Sequence, residues 1–202
     1  MKGLSDPNSV LLNVLQILGD LLVLNLCFLL CCLPILTAGP AISALYAVFL
    51  GSDEDTSAPV RFFRKFRENF RQSLVIWVLL LALGLFLALD FSLLRFLGGG
   101  PVWVRYLLSL AALLLAGTGC YAFPMVARYK SSTLGILKNA LLLSIYKIGH
   151  TAVLICLAGL PLIFILLSTD LFAASIMLWL LIGFSACCKL SARIVSHAFL
   201  AI

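Results

Sequence analysis

Apolar residues run along this chain in long, almost uncharged blocks, and their lengths predict the elements. Four blocks match a bilayer crossing: 74–97, 106–126, 148–167 and 171–190. A helix needs about 20 predominantly apolar residues to cross roughly 30 Å of hydrocarbon. The blocks therefore predict four spanning helices. Gly98-Gly99-Gly100-Pro101 would join the first two, and Ser168-Thr169-Asp170 the last two. Pro124 and Pro161 fall inside two of the blocks. They predict kinks rather than ends, because neighbouring helices re-satisfy the carbonyls that a proline frees.

The N-terminal third breaks this regularity. Residues 9–33 predict a first membrane helix about 37 Å long at 1.5 Å per residue. Pro34 ends it, the segment through Gly39 is non-helical, and Pro40 suits the first turn of a new helix. That second helix is apolar on every side, yet only about 18 Å long. Residues 34–51 are accordingly read as a Pro/Gly hinge followed by a half-helix within the membrane. The alternative is a full hairpin, 18–33 going out and 36–51 returning, with the N-terminus inside. In the hinge reading the backbone groups of Leu36–Gly39 need partners inside the bundle. Thr37 is placed to supply one bond, Gly39 admits another helix closely, and Asn25 is the expected partner for an unwound carbonyl. Pro34, Thr37, Gly39, Pro40 and Asn25 are thus candidate hinge and packing residues.

Composition settles the solvent. The 202 residues are 63% hydrophobic and 11% charged, with mean hydropathy +1.18, more apolar surface than a soluble core of this size hides. Turn-rich alternating segments are missing, which argues against a β-barrel, and no cleavable signal peptide is expected. The expected fold is all-α: a polytopic transmembrane helical bundle forming one domain, 1–202. It has about five spans, a Pro-hinged in-membrane half-helix and cytoplasmic amphipathic helices. The seven cysteines have no CxxC pairing and lie mostly in apolar runs, where cysteine packs as a small hydrophobe.

Charge gives orientation. Placing the 52–71 loop inside puts Arg61, Arg64, Lys65, Arg67, Arg71, Arg128, Lys130, Lys138, Lys147, Lys189 and Arg193 in the cytoplasm, eleven of fourteen basic residues. Arg95 and Arg105 fall outside and Lys2 is unassigned. The bias predicts that loops 52–71 and 127–147 and the C-terminus are cytoplasmic, in a cell (inner or plasma) membrane. Within 58–72, Phe62, Phe63, Phe66 and Phe70 share an arc of about 100° opposite Arg61, Arg64, Lys65, Arg67, Glu68 and Arg71. Such a helix either anchors topology on lipid phosphates or docks a partner, since Arg and Phe suit hot spots. A Ser/Thr cap at 131–133 predicts a further helix. The tail, 191–202, continues a basic stripe of Lys189, Arg193 and His197 at i, i+4 and i+8.

Asp20 shares a polar stripe with Asn13 and Gln16, which should face other helices or the interface. Asp90 is expected to snorkel or pair with Arg95 or Arg105, and His150 lies one turn into its helix. No nucleophile–base pair, phosphate loop or metal spacing appears, so neither enzymatic activity nor a cofactor, metal or nucleic acid is expected.

Asn25, Leu33-Pro34, Thr37, Gly39-Pro40-Ala41 and Ala44-Leu45-Tyr46 resemble the start of the YesL family of bacterial membrane proteins, grouped under a domain of unknown function. The stretches FFRKFRENFRQS and KNALLLSI carry the likeness further. Tyr46 joins the candidate packing residues through it. The resemblance implies an accessory role beside ABC-type carbohydrate importers, with permease subunits and membrane lipids as partners and homo-oligomers left open. The candidate contacts are Phe62, Phe63, Arg64, Phe66, Arg67, Phe70, Arg71, Lys189 and Arg193. The alternatives are a small-solute transporter or channel, motivated by the broken helix, and a lipid-interacting scaffold, motivated by the basic amphipathic stretches.

Overall fold

A computed structural model describes residues 7–51, 56–96, 98, 100–167 and 176–199. These residues are all-helical. Helix α1 is Pro7–Cys32, a single 3-10 turn covers Ile35–Thr37, α2 is Ala38–Leu50 and α3 is Ala58–Phe96. Then come α4, Val102–Arg128; α5, Thr133–Tyr146; and α6, Ile148–Leu167. The last helix, α7, is Ile176–Phe199, with a π-helical segment at Trp179–Gly183. Among the described residues, four helices are long and apolar enough to cross a membrane, or five if the bent pair α5–α6 counts as one span.

Local chemistry sets several boundaries. Gly98 and Gly100 take φ of +80° and +53°, left-handed values that favour glycine, and Pro101 then starts α4. Ser132 caps α5, its side chain accepting from the Gly135 amide at 3.2 Å. Pro124 and Pro161 lie inside α4 and α6 without ending them.

Helix α2 is the centre of the packing. From Gly39 to Val48 every residue but Ile42 is buried, against α1, α3, α4 and α7. At 13 residues it rises about 20 Å, too short to span a bilayer. Its apolar surface is spent on protein contacts. Leu45 and Ala44 pack in one core with Phe62 and Ile76 of α3, Tyr121 of α4 and Val195 of α7.

Three expectations change. The helix expected at 58–72 and the span expected at 74–97 are one 39-residue helix, about 58 Å long. Gln72-Ser73-Leu74 changes polarity, but it holds no glycine or proline to break hydrogen bonding. For the same reason the span 171–190 and the tail 191–202 share α7 across residue 190. The helix expected from the cap at 131–133, within the 127–147 loop, is α5, but it turns back along α4 so that Ser144 meets Gly117. Helix α6 then leaves at an angle of 106°. Lys147 sits at this elbow beside Thr151, whose hydroxyl lies 3.4 Å from that of Tyr121. Tyr121 precedes the end of α4 by seven residues, about 10 Å of helix, so Lys147 is not level with Arg128. Leu97, Gly99, the Ser168-Thr169-Asp170 corner, residues 171–175, the tail beyond 199, loop residues 52–55 and Lys2 lie outside the described residues. So does the side chain of Asn13.

Candidate functional site

Asn25 is fully buried and is the hub of a polar tie between α1 and α7. Its Nδ2 donates to the carbonyls of Trp179 at 3.0 Å and Leu180 at 2.7 Å. Its Oδ1 accepts from the Ser185 amide at 3.0 Å. Leu180 and Ser185 are five apart, the spacing of a π-helical bond, so the carboxamide is inserted into the ladder where the helix is underwound. The Ser185 hydroxyl donates to Leu21 at 2.8 Å and Ile182 at 2.9 Å, closing the tie. Gly183 leaves room for the Trp179 ring, where a Cβ would come within 2.9 Å of Cδ2. A π-bulge leaves backbone groups unmatched, and in an apolar bundle only side chains answer them. Asn25 does satisfy unwound carbonyls, as its type suggests. They belong to α7, however, and not to Leu36–Gly39.

The hinge satisfies itself. Thr37 Oγ1 donates to Cys31 at 2.6 Å and Pro34 at 2.8 Å, and Trp77 Nε1 donates to the Ile35 carbonyl at 2.8 Å. Gly39 packs flat on α3, where a Cβ would meet Trp77 Cβ and lie 2.8 Å from its Cγ and 3.1 Å from the Ser73 carbonyl. Ser43 and Ser73, both buried, add to the small residues that let helices approach. Pro40 is buried in the first turn of α2. Tyr46 is buried, its hydroxyl beside Ser191 of α7. Leu33, Pro34, Ile35 and Leu36 point outward instead, Leu33 being 78% exposed. The break therefore has an exposed apolar outer face and a packed inner one, rather than lying wholly inside the bundle. Of the expected polar stripe on α1, Gln16 and Asp20 are exposed.

A second cluster gathers at the end of the molecule where α3 begins and α4 and α7 finish. Arg61 Nη2 donates to the Val48 carbonyl at 2.9 Å, placing a cation at the C-terminal end of α2, where the helix dipole favours it. Gln72 Nε2 donates to Ser131 at 2.6 Å. The Arg128 guanidinium lies over Tyr129 at 6.0 Å and Phe199 at 5.8 Å, and those rings meet edge to face at 5.4 Å. Phe62 is fully buried, Phe66 stacks on it at 6.2 Å and Phe70 meets Phe66 at 5.4 Å. The inner part of the phenylalanine arc is thus core, not a face laid on lipid. Phe63, 48% exposed, and the exposed Arg64, Arg67 and Arg71 form the outer surface. On α7, Arg193 and His197 are exposed and Lys189 is half-buried, opposite Ser185, Cys188, Ala192 and Val195, which are buried.

Residues 21–91 match the family described as Protein of unknown function, DUF624. The matched stretch runs from the middle of α1 through the hinge and α2 to near the end of α3. It includes Asn25 but not the π-helical segment that Asn25 binds. No curated protein and no solved structure matches the chain.

Sequence reasoning missed the tie because its two halves are 154 residues apart. The helix running from the Ser/Thr cap at 131–133 was expected and is α5, but its folding back along α4 was not.

Proposed function

We propose that this chain is a non-enzymatic YesL-type protein of the bacterial inner membrane that docks on another membrane protein as an accessory or assembly subunit. The partner class is the permease subunit of an ABC-type carbohydrate importer, with the C-terminus cytoplasmic and anionic lipids as co-contacts. The observation that carries this reading is the surplus length of α3. At about 58 Å it is nearly twice the roughly 30 Å of a hydrocarbon core. The surplus is the half that bears Phe63, Arg64, Arg67 and Arg71 on its outer face. Phe62 and Arg61 fix that half to the core and to α2, so the arginines are presented on a rigid arm with little ordering entropy left to lose on docking.

The test is affinity capture from native membranes in mild detergent. A discrete permease subunit should copurify, and Arg64→Glu with Arg67→Glu and Arg71→Glu should cut its recovery at least tenfold without changing the melting temperature. Capture that is indifferent to the triple reversal, or no discrete partner at all, would sink the proposal. A transporter reading draws on the two broken segments, α1–α2 and α5–α6. Sugar flux by the purified protein in liposomes would favour it.

A further inference from the structure

We propose that the cleft bordered by α2, α3, α4, α6 and α7 binds a single hydrocarbon chain of a membrane lipid. Its volume is about 740 Å³, within the range of ligand sites, and none of its lining residues is charged. Among the lining residues, Trp77 already donates its Nε1 hydrogen to the Ile35 carbonyl at 2.8 Å, and the Tyr46 hydroxyl lies beside Ser191. A sugar would leave its hydroxyls without partners there, at a cost of several kcal/mol, and an apolar cavity of this kind stays dry. Lining residues Leu81, Ala88, Ala116 and Ala158 are exposed, so the cleft opens on the outer surface of the bundle. On α3, whose mean hydropathy reaches 2.6 in its most apolar window, that surface faces lipid. Hydrocarbon is the medium at the opening and can enter without dehydration.

Dimensions select the occupant. Along α3 the lining runs from Trp77 to Phe91, about 21 Å of helix rise, which accommodates a chain crossing one leaflet of about 15 Å, half the hydrocarbon core.

Trp179 lines the cleft yet is only 7% exposed, and this separates cleft occupancy from general lipid contact. Chains retaining Trp179 alone (Trp77→Phe, Trp103→Phe) or Trp103 alone (Trp77→Phe, Trp179→Phe) are reconstituted in phosphatidylcholine vesicles with and without dibrominated acyl chains. Trp103, 69% exposed, reports general quenching. The expected result is Trp179 quenching at least half as strong as that of Trp103. Narrowing the cleft with Gly84→Leu and Ala158→Leu should reduce Trp179 quenching at least twofold and leave Trp103 unchanged. The Gly84 site has room for this, its nearest neighbour lying 3.9 Å from a built Cβ. Unquenched Trp179 in the otherwise unaltered chain overturns the proposal, whatever the filled variant does. Protection of Trp179 in native membranes that is lost on purification also overturns it, by assigning the cleft to a protein partner.

Discussion

Replacing Asn25 with alanine strips partners from the Trp179 and Leu180 carbonyls and the Ser185 amide together. Inside a helical membrane bundle a side-chain hydrogen bond contributes about 0.6 kcal/mol on average and up to about 1.7. Three of them amount to about 2–5 kcal/mol. For a chain of this size each kcal/mol moves the melting temperature by about 2–4 °C, so a fall of roughly 4–20 °C is expected. In a background where Cys31, Cys32, Cys120, Cys156 and Cys187 are replaced, a thiol-reactive fluorophore reads the transition through Cys27 and Cys188, which are buried free thiols. Asn25→Asp, similar in size but lacking the amide donor, should fall in the same direction, while Asp20→Asn on the exposed face of α1 should move the midpoint by less than about 1 °C. Because Ser185→Ala cuts the bond to Leu21 in the same network, the double variant should be less destabilised than the two singles summed, by at least about 0.5 kcal/mol. A midpoint for Asn25→Ala within about 2 °C of the unaltered chain, or strict additivity with Ser185→Ala, would refute the view that the carboxamide holds the π-helical segment in place.

Two further outcomes are expected. Gly39→Leu should sharply reduce the monodisperse yield in detergent, since even a Cβ at Gly39 collides with Trp77 and overpacking of this kind costs about 1–3 kcal/mol or more. Gly19→Leu, with nothing within 4 Å of its Cβ position, should not, and equal yields would show that α2 and α3 can separate freely. In a cysteine-free background, a cysteine at Ser57 or at Ser131 should be labelled by an impermeant maleimide only from the cytoplasmic side, and labelling of either from outside would reverse the orientation.

Hydropathy alone determined that the chain is all-helical and that several of its helices are long enough for a membrane, because block length and apolarity are local properties that lipid reads directly. The break after Cys32 was equally legible, since Pro34 acts through its own ring, but the segment expected to be non-helical through Gly39 holds a 3-10 turn at Ile35–Thr37, and α2 opens at Ala38 rather than Pro40. The Ser132 cap needed only its neighbours three residues on. Polarity, by contrast, was a poor guide to where helices end. Residues 58–72 and 74–97 differ in composition, but helical hydrogen bonding ignores composition and runs straight through Ser73. Which face of the phenylalanine arc meets protein was fixed by α2 filling the space beside Phe62, and no periodicity contains that. The fold-back of α5 along α4 depends on Gly117 admitting Ser144, a match between two surfaces distant in sequence. The tie at Asn25 exists only because α7 is underwound opposite it, so that a carboxamide on one helix completes the backbone ladder of another. Such pairings are set by packing in three dimensions, and the tertiary structure alone decided them.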